Sequence, residues 1–156
     1  FAWKTDFVQK VEHQCTPFII VIADTMHFHG FHDRGFDGLS WIQRAIGILE
    51  NDLEDGSPWP LAGEVFEGIV VSNYLYRPLY DPLVNALATG GLLIYQTFSE
   101  GNAAYGKPTN PDFLLRENEL LDVFGPRLTV LDFHQGYTDH PSPAVVQKIC
   151  CRKQEV

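Results

Sequence analysis

The sequence predicts an α/β protein, and three observations in one stretch, residues 66–98, carry that prediction. Phe66 to Val71 and Leu92 to Phe98 are apolar runs almost without a break, Gln96 and Thr97 excepted. Strands covered on both faces in a parallel sheet have this composition. Between the runs, Leu79, Leu83, Val84 and Leu87 form an apolar stripe at helical spacing. Pro78 stands near the start of that stripe and Gly90-Gly91 just past its end, which is the usual placing of proline and glycine about a helix. Strand, helix, Gly-Gly turn and strand make one right-handed crossover unit. Ligands in such sheets sit beyond the carboxyl ends of the strands, so a site is expected at Ser72-Asn73-Tyr74-Leu75.

The remaining elements follow in order. Asp6 to His13 reads as a short helix, and Phe18 to Ala23 (FIIVIA) as a buried strand of β-branched residues. Gly30, Gly35 and Gly38 lack the spacing of a nucleotide-binding turn and are read as loop glycines. Ile46 to Leu53 is the next strand candidate, and residues 54–63, with Gly, Ser and two Pro, must be loop. After the crossover unit comes a polar loop, residues 99–111. A helix is then expected over Pro111–Phe124, capped by Asn110, with Phe113, Leu114, Leu120, Leu121 and Phe124 as its apolar face. Arg127 to His134 and Ala144 to Cys151 close the chain as a long-looped antiparallel hairpin.

A chain of 156 residues is expected to form a single domain, residues 1–156, with a sizeable core. The net charge of −9 argues against partners bound through phosphates, whether nucleic acid or an anionic membrane surface. Apolar runs are far shorter than the roughly 20 residues that span a bilayer. No secretory leader is read at the start, where Phe stands in place of Met, so a processed chain or a longer parent sequence is expected. Cys15, Cys150 and Cys151 form an odd set without metal-knuckle spacing, which fits a reduced, cytoplasmic compartment. Cys150 and Cys151 should lie on opposite faces of one strand.

From about Asp33 onward, roughly four-fifths of its length, the chain resembles the class I S-adenosylmethionine-dependent methyltransferases. More narrowly, it resembles a group of small methyltransferase-domain proteins distantly similar to the tellurite-resistance methyltransferases. The strings NDLEDGSPWPL, VVSNYLYRPLYDPL, GGLLIYQTF, GKPTNPDFLLRENELL and AVVQKICCRK carry the resemblance, in the right order. It implies a Rossmann-like sheet, mostly parallel, whose reversed last strand enters as a hairpin at the C-terminus. It also implies S-adenosylmethionine as cofactor and a small-molecule methyl acceptor.

By the same resemblance, Asp33 would accept hydrogen bonds from the ribose hydroxyls, a task for which a carboxylate is well suited. Asp52 would meet the adenine amino group, with Leu53 offering its backbone amide. Asn73 would accept from the cofactor's amino group, Tyr74 would wall the reaction pocket, and Leu75 would complete the donor-end segment. One departure stands out. Where the family has a GxGxG loop after its first strand, this chain has Ala23-Asp24-Thr25. A Cβ at those positions would crowd the cofactor. Residues 1–32 are therefore expected to be atypical or truncated relative to the family. An alternative reading follows: a catalytically inactive, methyltransferase-like binding or scaffold domain.

Other residues have a blander reading beside the functional one. Asn73 could cap the helix that starts near Pro78. Arg77 could hold an anionic substrate or pair with Asp81 or Glu67. Trp59, between two prolines, is read as a packing anchor of its loop, with a lid as the alternative. His27, His29 and His32 beside Asp24 and Asp33 lack a fourth ligand at recognisable spacing, so no metal is expected.

Overall fold

The computed structural model describes the backbone of residues 20–23 and residues 53–154 in full. Strands β1 (Ile20–Ala23), β2 (Phe66–Ser72), β3 (Leu87–Phe98), β4 (Thr129–Thr138) and β5 (Ala144–Arg152) form one sheet. Their order is β1-β2-β3-β5-β4. Two short helices, α1 (Tyr80–Asn85) and α2 (Glu119–Phe124), join β2 to β3 and β3 to β4. β2 and β3 pair in parallel, so the segment between them is a crossover as the sequence predicts. β5 is antiparallel to both β3 and β4, which places one reversed strand between two that run the same way.

Among the described residues the sheet is less parallel than expected: β2–β3 is the one parallel strand pair there, and β1 lies antiparallel along β2. β1 enters the sheet beside Val71 and leaves it beside Gly68, at the amino end of β2. The expected helix over residues 6–13 lies outside the described residues. So do residues 46–52 of the expected strand ending at Leu53, while Leu53 itself is in a bend. No helix of the described residues is long and apolar enough to cross a membrane.

The core lies on one face. Leu93, Tyr95 and Thr97 of β3 are buried, as are their register partners Cys151, Ile149 and Gln147 on β5. Ile69 and Val71 extend this face on β2, and Leu83, Leu87, Leu120 and Phe124 close over it. Each such side chain contributes about 1.5–3 kcal/mol by leaving water. The alternate residues of β3, Leu92, Ile94, Gln96 and Phe98, are half-buried. The apolar runs thus do not mean burial on both faces among the described residues. Cys150 is half-buried and Cys151 buried, in keeping with opposite faces.

Helix ends depart from the sequence reading for identifiable reasons. α1 stops at Asn85, short of Gly90-Gly91, because Phe66 N–H takes the Ala86 carbonyl at 2.7 Å and Leu87 pairs with Phe66 to start β3. The Lys153 ammonium donates to the carbonyls of Val84 and Leu87, closing the helix end with charge as well as hydrogen bonds. Gly91 sits inside β3, where the strand crosses close over the backbone of β2. A Cβ there would stand 2.9 Å from the Ala88 carbonyl oxygen and 3.1 Å from those of Glu67 and Phe66. Backbone cannot swing aside as a flexible side chain can. Gly91→Ala is expected to destabilise the fold by about 1–3 kcal/mol, read from urea denaturation.

The single helix expected over Pro111–Phe124 is two pieces. Asn110 does cap the first turn, accepting from Asp112 N–H at 3.1 Å. That turn ends at Phe113, and Leu114 and Leu115 then run extended. Leu115 N–H donates to Phe98 O, and Glu100 N–H donates to Leu115 O, so the segment is tied to the end of β3. Gln147, fully buried on β5, then supports α2 by accepting from Leu120 N–H and donating to Arg116 O. The closing strands are also longer than predicted. Gly136 lies within β4 and not in the loop.

Candidate functional site

The carboxyl end of β2 is held to the end of β3 by two contacts. Asn73 N–H donates to Gln96 O at 2.9 Å, and the Tyr95 hydroxyl donates to the Tyr74 carbonyl at 2.9 Å. Between them the chain turns sharply, with Asn73 at φ 54°. That left-handed region is one asparagine tolerates better than most residues with a side chain. Asn73 is exposed. The helical turn over Arg77–Leu79 is capped at Tyr76 without a side-chain bond, so Asn73 does not serve as its cap.

Tyr74 and Leu75 behave differently from Asn73. Both side chains belong to the core, at 8% and 7% exposure. The Tyr74 hydroxyl donates to Glu54 Oε1 at 3.1 Å, tying the segment to the loop after Leu53. Burial, reinforced by the Glu54 charge, raises its pKa, so the phenol remains a donor and not a base at neutral pH. Tyr74 therefore braces the carboxyl edge from inside.

Leu53 lines a cleft of about 200 Å³ with Trp59, Tyr76, Pro78, Leu79 and Pro82. Trp59 packs against the core, as an anchor would, and its indole N–H is buried without a partner. Asp33 and Asp52, together with His27, His29 and His32, lie outside the described residues. Among the described residues no cluster of three His, Cys, Asp or Glu could hold a metal ion.

Arg77 is committed elsewhere than expected. Its guanidinium meets the Glu119 carboxylate with two nitrogens, at 2.7 and 2.9 Å, and also donates to the carbonyls of Asp112 and Leu114. Asp81, one of the two partners expected from sequence, pairs with Arg127 instead. Tyr80 donates its hydroxyl to Glu119 at 2.9 Å, and Arg116 N–H donates at 3.0 Å. Burial pushes the Glu119 carboxyl up, but these bonds outweigh it and hold its pKa below the ordinary carboxylate range. With four of its five N–H donors engaged, Arg77 is a clamp between the turn before α1 and the start of α2.

Sequence reasoning missed Glu54, Tyr95 and Glu119. Their bonds to Tyr74 and Arg77 join residues separated by 20, 21 and 42 positions, respectively. No local pattern announces contacts at that range.

No protein-family model matches the chain, and no curated protein matches it. Among solved structures it is similar to TehB from Haemophilus influenzae, with a TM-score of 0.47 and 16% identity over 60% of this chain and 37% of that one. It is similar also to the N-methyltransferase NodS from Bradyrhizobium japonicum WM9, with a TM-score of 0.44 and 22% identity over 59% of this chain and 53% of that one. The chain thus spans about two-fifths of the first protein and half of the second.

Proposed function

We propose that this chain is a methyltransferase-type domain that takes S-adenosylmethionine against the carboxyl edge of β2 and β3 and serves a small-molecule acceptor. The observation that carries the proposal is the reversed strand β5 inserted between β3 and β4. It is the arrangement implied by the family resemblance of residues 33–156. The turn at Asn73 lies at the end of a parallel strand pair, where open α/β sheets place their ligands.

The described residues fit part of such a cofactor. The cleft beside Leu53 and Trp59 is smaller than the roughly 300–1,000 Å³ of a whole ligand site, so it suits a single ring system. Trp59, Tyr76 and four prolines give that cleft flat apolar walls for such a ring. Asn73 presents an exposed amide able to accept from an ammonium group, on a backbone fixed by Gln96 and Tyr95. When bound, the cofactor supplies an already activated methyl group on a sulfonium. The protein then mainly orients and desolvates, and no dedicated general base is required of it. Tyr74, buried and protonated, stiffens the wall behind that edge.

A second reading, an inactive binding domain, draws on β1. Ala23 stands beside Gly68, so the chain leaves the sheet at the edge opposite Asn73. The strand that the resemblance would place before the glycine loop thus ends, at Ala23, away from Asn73. Calorimetric titration separates the two readings. Methyltransferase-type binding predicts a saturable isotherm for S-adenosylmethionine that weakens about tenfold in Asn73→Ala, the loss of one hydrogen bond to a charged group. No heat at millimolar cofactor would leave the inactive reading standing.

A further inference from the structure

We infer that β4 is a self-pairing edge, through which two copies of this chain join antiparallel about a two-fold axis at His134. Among the described residues β4 is the last strand of the sheet and has β5 on one side alone. Edge strands left open are usually guarded by lysine, proline, a bulge or short length. β4 is ten residues long and has no Lys, Arg or Pro from Thr129 to Thr138, and its one bulge, at Leu131, leaves seven regular residues from Asp132 to Thr138. It carries two of the few large apolar side chains that are exposed, Leu131 at 47% and Tyr137 at 53%.

The placing of those two side chains selects a second copy over an unrelated strand. His134 lies midway between them in sequence. An antiparallel two-fold through His134 therefore sets Leu131 of each copy opposite Tyr137 of the other, twice over. Aromatic–aliphatic cross-strand pairs of this kind are the ordinary stabilising unit of a sheet. The same register sets Asp132, the one carboxylate of the strand, opposite Gly136, so it meets no like charge despite the net −9 of the chain. The register shift between Val130 and Asp132 leaves Leu131 without a register partner on β5. A two-fold pairing is also closed, since each copy uses its edge once and no fibre grows from it.

The axis makes the test specific. Two His134 Cα atoms facing each other across an antiparallel pair lie about 4.5–5.5 Å apart, within the range a disulfide spans. The full-length chain bearing His134→Cys is expected to form a covalent dimer under mild oxidation, whereas the unmodified chain with its native cysteines does not. Asp132→Cys places the two thiols four residues out of register, about 14 Å apart, and is expected to stay monomeric. Sedimentation equilibrium should show a reversible dimer whose dissociation constant rises about tenfold in Leu131→Asp, with the circular dichroism spectrum unchanged. A monomer at every concentration would overturn the inference. So would a dimer that ignores Leu131→Asp, or equal cross-linking of the two cysteine variants, since either would put the contact on another surface.

Discussion

Replacing Phe124 by alanine is expected to cost about 3–5 kcal/mol of unfolding free energy, the upper range for truncating a buried aromatic. Phe124 is completely buried on α2 and packs edge-on against Tyr80 at 5.4 Å and tilted against Tyr95 at 6.0 Å. Tyr80 and Tyr95 meet edge-on at 6.2 Å, which completes a three-ring cluster between both helices and the central strand. Such pairs add about 0.5–1.5 kcal/mol beyond the area they bury. The cluster also positions the carboxyl edge, because the Tyr95 hydroxyl in its midst holds the Tyr74 carbonyl. Urea denaturation followed by circular dichroism measures the cost. A loss below about 1 kcal/mol would mean that α2 is not the lid of this core.

Glu119→Ala is the second large effect, expected at roughly 2–4 kcal/mol. The carboxylate is nearly buried, at 11% exposure, and receives two guanidinium nitrogens, a tyrosine hydroxyl and a backbone N–H. Removing it strands Arg77 and Tyr80 together, which is why the cost exceeds that of a surface pair. The pH dependence has a definite sign. A folded pKa held below its unfolded value contributes stability at pH above the unfolded value, about 4.3, and loses it as pH falls through the folded value. Wild type should therefore lose stability below about pH 4.3 more steeply than Glu119→Gln, which has nothing to protonate. Parallel acid-denaturation curves for the two proteins would contradict the clamp.

Much of the sheet was legible because strand and crossover signals are local. The runs at Phe66 and Leu92 and the hairpin at the chain's end are written in consecutive residues, and strands stand at all of them. Helix lengths were not legible, since long-range contacts override the periodic pattern. Leu114 belongs to the expected apolar helix face, yet it and Leu115 are buried as an extended segment against the end of β3. Gly90-Gly91 looked like a helix stop, although Gly91 instead admits the β2 backbone into close contact. The strand end before Asn73 was legible because the apolar run stops there. The burial of Tyr74 was not, because its partner Glu54 and its brace Tyr95 lie far off in sequence.

The most direct measurement of the central claim is a map of backbone amide shifts as the demethylated cofactor, S-adenosylhomocysteine, is added to isotopically labelled protein. Saturable changes are expected at Ser72 to Leu75, at the end of β3 and around Leu53 and Trp59. None is expected at the amino end of β2, near Phe66 and Gly68. Changes confined to that opposite edge, or an unchanged spectrum at millimolar ligand, would contradict the claim.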